Sequence, residues 1–483
     1  MVLRTYLDKF NTIIKDSSLN TGFNQIAELI YGANNTRLLV HFSIDKLKEY
    51  VNKNNISDLS KMKHFLKITN CGFIDKKDLY RQEPNMYNNG VKLRASSFDL
   101  IFFLIPQEWD NGKGYDMQKN FFNQSYNTKC CDSINVDTSK LLSTDGSNWY
   151  KARNGIFWDE EGIYANETLS KEYDNFSSNK GSDIVIGRQK FDIGDENINV
   201  DLSEIVNKMI NDEIPNYGIG IAFSPMMGIN ESENENYIGF FSPKTHTFFK
   251  PFLETKYDDN IQDDRTNFVL DKVNRLYLYA NVDGFLTNLD EIPSCVIENA
   301  PVRVLQASEG VYYAEVKLSS KEYSTNTMYY DVWSNLKYNG EVLDDVEMEF
   351  VTKPKESFFN IGSNIDENKR YVPLLYGIND DEEIIRGDIR KIGVYSKNEY
   401  SRNKASILKD LYYRIYIKNG EDEIDIISNE KVNRTFNENY FLIDTEMLLP
   451  QWYYIDIMYK NSMEKRICKN VLKFKVVNNV TKE

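Results

Sequence analysis

The stretch NYGIGIAFSP at residues 216–225 is followed, past the acidic loop MMGINESENE, by NYIGFFSPKTHTFFKPFLETKY at residues 236–257. Two apolar runs, each broken by glycine and stopped at Ser-Pro, flank that loop, and the second leads to His246, one of three histidines in the chain. If His246 centres a reactive site, the protein is an enzyme. If the two runs are strands of a β-sandwich, it is a building part.

Working outward, 483 residues at about 150 per domain make roughly three domains. With 41% hydrophobic residues the chain can fill several cores, and its 32 Tyr and 27 Phe against 24 Gly favour strands over helices. The expected fold class is all-β. A formal charge of −15 opposes a surface that grips a polyanion, because phosphate neutralisation needs clustered Lys and Arg. The five cysteines (Cys71, Cys130, Cys131, Cys295, Cys468) show no CxxC or Cys/His zinc spacing and are read as reduced thiols made in a cytoplasm. Charges at Arg4, Asp8, Lys9, Lys15 and Asp16 interrupt any apolar signal core. No run approaches the ~20 apolar residues of a membrane span, and FDLIFFLIP at 98–106 reads as a buried strand.

The N-terminal periodicity fits a strand or a helix. TRLLVHFSID (36–45) is a strand and DKLKEYVNKN (45–54) a short helix capped by Asp45 or Ser43. PQEWDNGKGYDM (106–117) is a loop, followed by a long Asn/Ser/Asp-rich segment in which Trp149 and Trp158 stand out as packing anchors. DLSEIVNKMINDEIPNYG (201–218) is a second helix, capped by Ser203 or Asp201 and ended by Pro215. Residues 1–258 therefore form one β-rich unit with a long insertion between Gly72 and Asp183. The acidic stretch 259–273 reads as a linker. Residues 274–354 show strands every 8 to 12 residues with Trp333 as core plug, an immunoglobulin-like sandwich without its disulfide. A polar joint at 355–370 leads to a third β-sandwich at 371–483, with KNGEDE as a hairpin turn.

Catalytic constellations are hard to assemble from these residues. GIGIAF lies inside a strand and lacks the strand-loop-helix context of a phosphate loop. His41 and His64 sit in apolar runs and read as packed or hydrogen-bonded side chains, and no GxSxG elbow is present. Asp258, Asp259, Asp263 and Asp264 lack the calcium-loop spacing and read as a solvated linker. Asp110, Asp116, Asp159, Glu160 and Glu161 are the carboxylates open to a glycosidase reading, which needs a separation that sequence does not supply. The expectation is a protein that is not an enzyme, with no catalytic, cofactor-binding or metal residues and no cofactor.

RTYLDKFNTIIKDSSLNTGFNQIAELIYG, NTRLLVHFSIDKL, VDLSEIVNKMINDEIPNYGIGIAF and NYIGFFSPKTHTFFKPFLETKY run in the order of a DNRLRE-type jelly-roll domain, which they resemble. The matching positions are Thr5, Tyr6, Asn20, Gly22, Arg37 to Phe42, Asp201 to Val206, Asn216 to Gly218 and Pro251 to Tyr257. The long insertion, and Ser43 where such domains carry an acidic residue, are departures. The resemblance implies an N-terminal strand and makes NYGIGIAF and YIGFFSP core strands, with KTHTFFKPFLETKY as the closing strand pair and His246 as a polar contact at a sandwich edge. On that reading Gly218, Gly220 and Gly239 relieve crowding on a twisted sheet.

PQEWDNGKGYDM, SNWYKARNGIFWDEEGIY, FFSPKTHTFFKPFLETKYDDNIQDDR and YYDVWSNLKYNGE together resemble virion tail proteins of crAss-like podoviruses, over nearly the whole chain. That resemblance implies a ring or tail hub component of the virion tail or neck, assembled in the bacterial host cytoplasm. Its implied partners are itself in a ring, a portal-proximal ring and a tail nozzle or fibre, with no membrane and DNA at most passing through the lumen. The competing expectation is a glycan-binding or adhesin module for host-surface attachment.

Overall fold

Eight strands of the N-terminal unit fall into two sheets whose order identifies the fold. In chain order they are β1 (Val2–Tyr6), β2 (Thr36–His41), β3 (Lys63–Ile68), β4 (Phe98–Leu104), β5 (Val185–Phe191), β6 (Ile198–Asp201), β7 (Ile219–Phe223) and β8 (Phe252–Lys256). They pair as β1-β8-β3-β6 and β5-β4-β7-β2, the interleaved order of a jelly roll built from two Greek keys. Lys9–Ile14 extends the second sheet beyond β2. Ile26–Tyr31, Asn236–Phe241 and Leu93–Arg94 form a smaller sheet of their own.

This computed structural model describes residues 2–32, 35–71, 93–94, 97–115, 143–175, 184–225, 236–353, 371–398, 407–460 and 465–478. Asp116, Cys130, Cys131 and the expected joint at 355–370 lie outside the described residues. Among the described residues the α-helices are short, Asp45–Lys53, Asn166–Asn175 and Ser203–Ile210, and the chain is all-β. It divides into two compact units, Val2–Lys48 with Asp58–Tyr257, and Glu49–Ser57 with Asp258–Glu483.

In the opening stretch, β7 is buried along its whole length between β2 and β4, with Ile221 opposite Leu38 and Phe102. Its glycines are steric necessities. A Cβ on Gly220 would stand 2.1 Å from the Phe103 ring, and Gly218, at φ +92°, would meet the Val40 carbonyl oxygen at 2.3 Å. Ile238 and Phe240 of the second run are buried as expected, in the smaller sheet. The closing strand pair is half right. Phe252–Lys256 is β8, but residues 244–250 form no strand, since the Ser242 hydroxyl accepts from Lys244 N and the Thr245 hydroxyl from Thr247 N, turns that divert the backbone from a ladder.

The sequence reading also needs correction at the second helix. It ends at Ile210, five residues before Pro215, because Asp212 adopts φ +59° and Asn211 closes the last turn. Asp201 accepts from Ser203 N at its start. The helix at Asn166–Asn175 went unread in polar sequence. Trp149 and Trp158 are buried anchors beneath it, joined by Trp109, whose indole donates to Tyr217 O at 2.7 Å.

The second unit holds two further sandwiches. In the first, Phe268–Val269, Val346–Lys353, Met328–Ser334, Ser294–Ile297 and Ala300–Val302 face Asn274–Tyr279, Val311–Val316 and Val304–Ser308. Trp333 is fully buried among Leu276, Tyr312 and Phe350. In the second, Tyr371–Tyr376, Ile389–Asn398, Asn439–Asp444 and Asn433–Arg434 make one sheet. Glu382–Ile385, Lys465–Val477, Trp452–Lys460, Leu411–Asn419 and Asp422–Lys431 make the other. The KNGEDE hairpin is present, Asn419 opposite Asp422 with Gly420 at φ +64°.

Because β7 leaves no room for a side chain at position 220, Gly220→Ala should lower stability by about 1–3 kcal/mol, read as a lower urea midpoint for the jelly-roll unit. An unchanged midpoint would contradict the packing of Phe103 against β7.

Candidate functional site

The three histidines are far from forming one centre. His246 is exposed on the irregular run 244–250. His41 Nδ1 lies 2.6 Å from Asp8 Oδ1, a pair 33 residues apart in sequence that periodicity could not reveal. Burial alone would raise the Asp8 carboxyl, but the hydrogen bond and charge of His41 hold it below its ordinary value. His64 is buried on β3. Asn207 donates its amide to Leu59 O, so its Oδ1 accepts from His64 Nε2–H, and His64 Nδ1 is left to accept from the Thr255 hydroxyl. Burial, outweighing the Asn207 bond, lowers its pKa to about 4.

Of the carboxylates open to a glycosidase reading, Asp110, Asp159, Glu160 and Glu161 are exposed. Glu160 accepts from Ala165 N and from the Thr168 hydroxyl, and so serves the start of the helix Asn166–Asn175. Asp110 backbone N–H donates to Ala152 O. Beside them Arg37 stacks on Trp149 and donates to Gly162 O, Tyr164 O and Asn166 Oδ1. Burial brings its guanidinium down to about 10, with Glu160 opposing. Arg37 lines a cleft of about 530 Å³, together with Tyr31, Asn35, Glu167, Asp174 and Phe223.

The acidic stretch after Tyr257 departs most from its sequence reading. In place of a solvated linker, Ile261, Asp263, Arg265 and Phe268 to Leu270 are buried. Arg265 forms a two-pronged ion pair with Asp331, and Asp331 Oδ2 also accepts from the Trp333 indole at 2.6 Å. Gln262 bridges Arg434 in parallel, with Asp263 N donating to Arg434 O and Arg434 N to Ile261 O, so the stretch behaves as an added strand. Asp264 accepts from Arg434 Nη2 through one oxygen and from Arg275 N through the other. Burial raises Asp263 to about 6 against the pull of Arg265 and Arg434. Burial likewise pushes the Cys295 thiol, opposite Trp333, up to about 12. Cys295 and Cys468 are free thiols. One signal for the ion pair was available. Asp331 stands two residues before Trp333 on a strand, and therefore on the same inward face.

Among the described residues, the last sandwich carries an apolar outer face. Val372, Leu374, Tyr376, Ile389, Tyr395 and Leu442 are 39–67% exposed. Their registers, Leu374 opposite Tyr395, Tyr376 opposite Gly393, Gly393 opposite Tyr440 and Lys391 opposite Leu442, put them on one outer face of three adjacent strands. Tyr376 lies across Gly393, where a Cβ would meet its ring at 1.9 Å, and donates its hydroxyl to Glu438. With ten residues on the middle strand and six on each flanking strand, this face covers roughly 350 Å², within the size range of functional patches. A second face, with Met328, Tyr330 and Val351 exposed beside Glu347 and Glu349, covers the outside of the preceding sandwich.

No family model and no curated protein matches the chain. Among solved structures it is similar to a tandem pair of titin Ig domains, at 10% identity over 46% of this chain and 95% of that one, with a TM-score of 0.15. It is also similar to fibronectin(III)-like modules of Clostridium thermocellum CbhA (9% identity, 47% and 95% covered, TM-score 0.15) and to the D00-D0 domain of intimin (9%, 44% and 95%, TM-score 0.15). Scores this low carry no argument about function or ancestry.

Two outcomes test the buried polar groups. Arg265→Met should cost about 3–5 kcal/mol by leaving Asp331 charged and unpaired, and adding Asp331→Leu should recover part of that loss; a mild single variant in chemical denaturation would refute the pairing. His64, with its folded pKa below the ordinary 6.5, contributes stability that is complete above pH 6.5 and lost as pH falls toward 4. The slope should be about 1.4 kcal/mol per pH unit at most. His64→Leu should be weaker at pH 7 but lack that slope in urea titrations between pH 7 and 4.5.

Proposed function

We propose that this chain is a structural binding protein whose sandwiches contact further copies of itself. The observation that carries the reading is the apolar outer face around Leu374, Tyr395 and Leu442, which exposes large side chains that a solitary sandwich would bury or replace with polar ones. Alone it falls short of the about 800 Å² each partner contributes to a standard interface. It therefore serves as the centre of a larger contact. The occupant is a second copy, because the chain also carries the differently composed face of Met328, Tyr330 and Val351. Lys391 and Lys397 accompany the first face, Glu347 and Glu349 the second. Two unlike, complementary faces on one subunit give head-to-tail contacts, which close into a ring when the rotation allows. In finer terms, the resemblance to crAss-like podovirus tail proteins supports a ring or hub component of the virion tail or neck, with neighbouring ring, nozzle or fibre proteins as partners.

The jelly-roll cleft favours a second reading. Tyr31 and Phe223, both largely buried, line it beside Asn35, Glu167 and Asp174, a mixture suited to apolar contact and hydrogen bonding with a sugar. On that reading the chain is a glycan-binding module that needs no self-association.

Solution mass and electron micrographs separate the two. The assembling protein should exceed its 56.5 kDa monomer mass. Glu347→Lys with Glu349→Lys should return it to monomers, and Lys391→Glu with Lys397→Glu in the same chain should restore assembly. A monomer at every concentration, with glycan binding lost on Asp174→Ala, would reverse the choice.

A further inference from the structure

The second unit contains a cleft of about 360 Å³ whose charge is opposite to that of the chain. Its walls come from three places: Gln262 and Asp264 on the buried acidic stretch, Lys272, Arg275 and Glu315 on the first sandwich, and Lys409, Lys431 and Arg434 on the second. Five cations face two carboxylates there, while the chain as a whole carries −15. Both carboxylates are already engaged, Asp264 by Arg434 and by Arg275 N, Glu315 by the Arg275 guanidinium at 3.0 Å. Lys431 has only a 4.0 Å approach to Asp410. Among the described residues Lys272 and Lys409 have no ion-pair partner. Arg434 is almost wholly buried, and its Nε finds no acceptor. Gathering like charges around one hollow is unfavourable unless something negative enters it.

We infer that this cleft binds a small oxyanion-bearing ligand, a phosphate, sulfate or polycarboxylate, between the two C-terminal sandwiches. Arginine and lysine donors strengthen markedly against ionised oxygens. The volume admits more than one inorganic anion and lies at the lower end of ordinary ligand sites. The buried acidic stretch holds Arg434 and Arg275 in place through Asp264, leaving the two lysines free to close on the ligand. The site is separate from both outer sheet faces and does not depend on assembly.

The test is calorimetric titration of the full chain with inorganic phosphate and, separately, with citrate. Saturable binding of either is expected, weakening as sodium chloride is raised. Lys272→Ala and Lys409→Ala, both on exposed side chains and therefore safe for folding, should each weaken it about three- to five-fold, and the pair more. Phosphate binding alone assigns a tetrahedral anion, citrate binding alone a polycarboxylate. The inference is overturned if neither saturates by about ten millimolar, or if the double variant binds as tightly as the original.

Discussion

The buried ion pair between Arg265 and Asp331 is the constraint around which the second unit is arranged. A guanidinium and a carboxylate taken out of water lose several kcal/mol each, so the fold must bring them together with both prongs engaged. It does so, and adds the Trp333 indole and the Tyr277 carbonyl as further partners. Such a pair adds little net stability, yet separating its members is strongly unfavourable. Arg265 is thereby held against the core strand Met328–Ser334. The residues before it, from Ile261 to Asp264, are then aligned beside Asn433–Arg434 of the next sandwich. A stretch with the composition of a linker becomes the shared element of two domains. Its position also gathers Arg275 and Arg434 at one cleft.

The jelly-roll unit meets a different constraint, the close approach of aromatic side chains to backbone. Phe103 occupies the space above Gly220, and three tryptophans sit under the region of the helix Asn166–Asn175. In this unit the buried Trp109 indole N–H donates to Tyr217 O and the Trp158 indole N–H to Asn148 O. The polar insertion is thus tied to the core by its aromatic residues. Arg37 and His64 are accommodated by the same device, Arg37 donating to Gly162 O, Tyr164 O and Asn166 Oδ1 and His64 Nε2 to Asn207 Oδ1.

These two solutions leave function to the surfaces. A sheet that buries one face has its other face free to vary, and the last sandwich uses that freedom to carry leucine, isoleucine, valine and tyrosine where lysine, threonine and glutamate would serve solubility better. Tyr376 lying over Gly393 shows that the face is internally packed, with ring, glycine and the Glu438 carboxylate in one arrangement. That preorganisation suits a surface that meets a rigid partner.

Sequence by itself determined the fold class, the jelly-roll order through its resemblance, the strand identity of NYGIGIAF, the core role of Trp333 and the Asn419–Gly420 hairpin. Alternation with period two is a local property, imposed wherever one sheet face meets a core, so it is legible without knowledge of partners. Tertiary structure alone decided that the acidic stretch is buried, that Asp8 meets His41 and that Arg265 meets Asp331. Those pairs lie 33 and 66 residues apart. Charge density in a linear stretch signals solvation only when no distant countercharge awaits it, and that countercharge is located by folding. The exposed apolar face was hidden for the converse reason. Leu374, Tyr395 and Leu442 look like core residues in sequence, and only the registers that place them on one face, away from Ile392 and Phe441, reveal that they face outward.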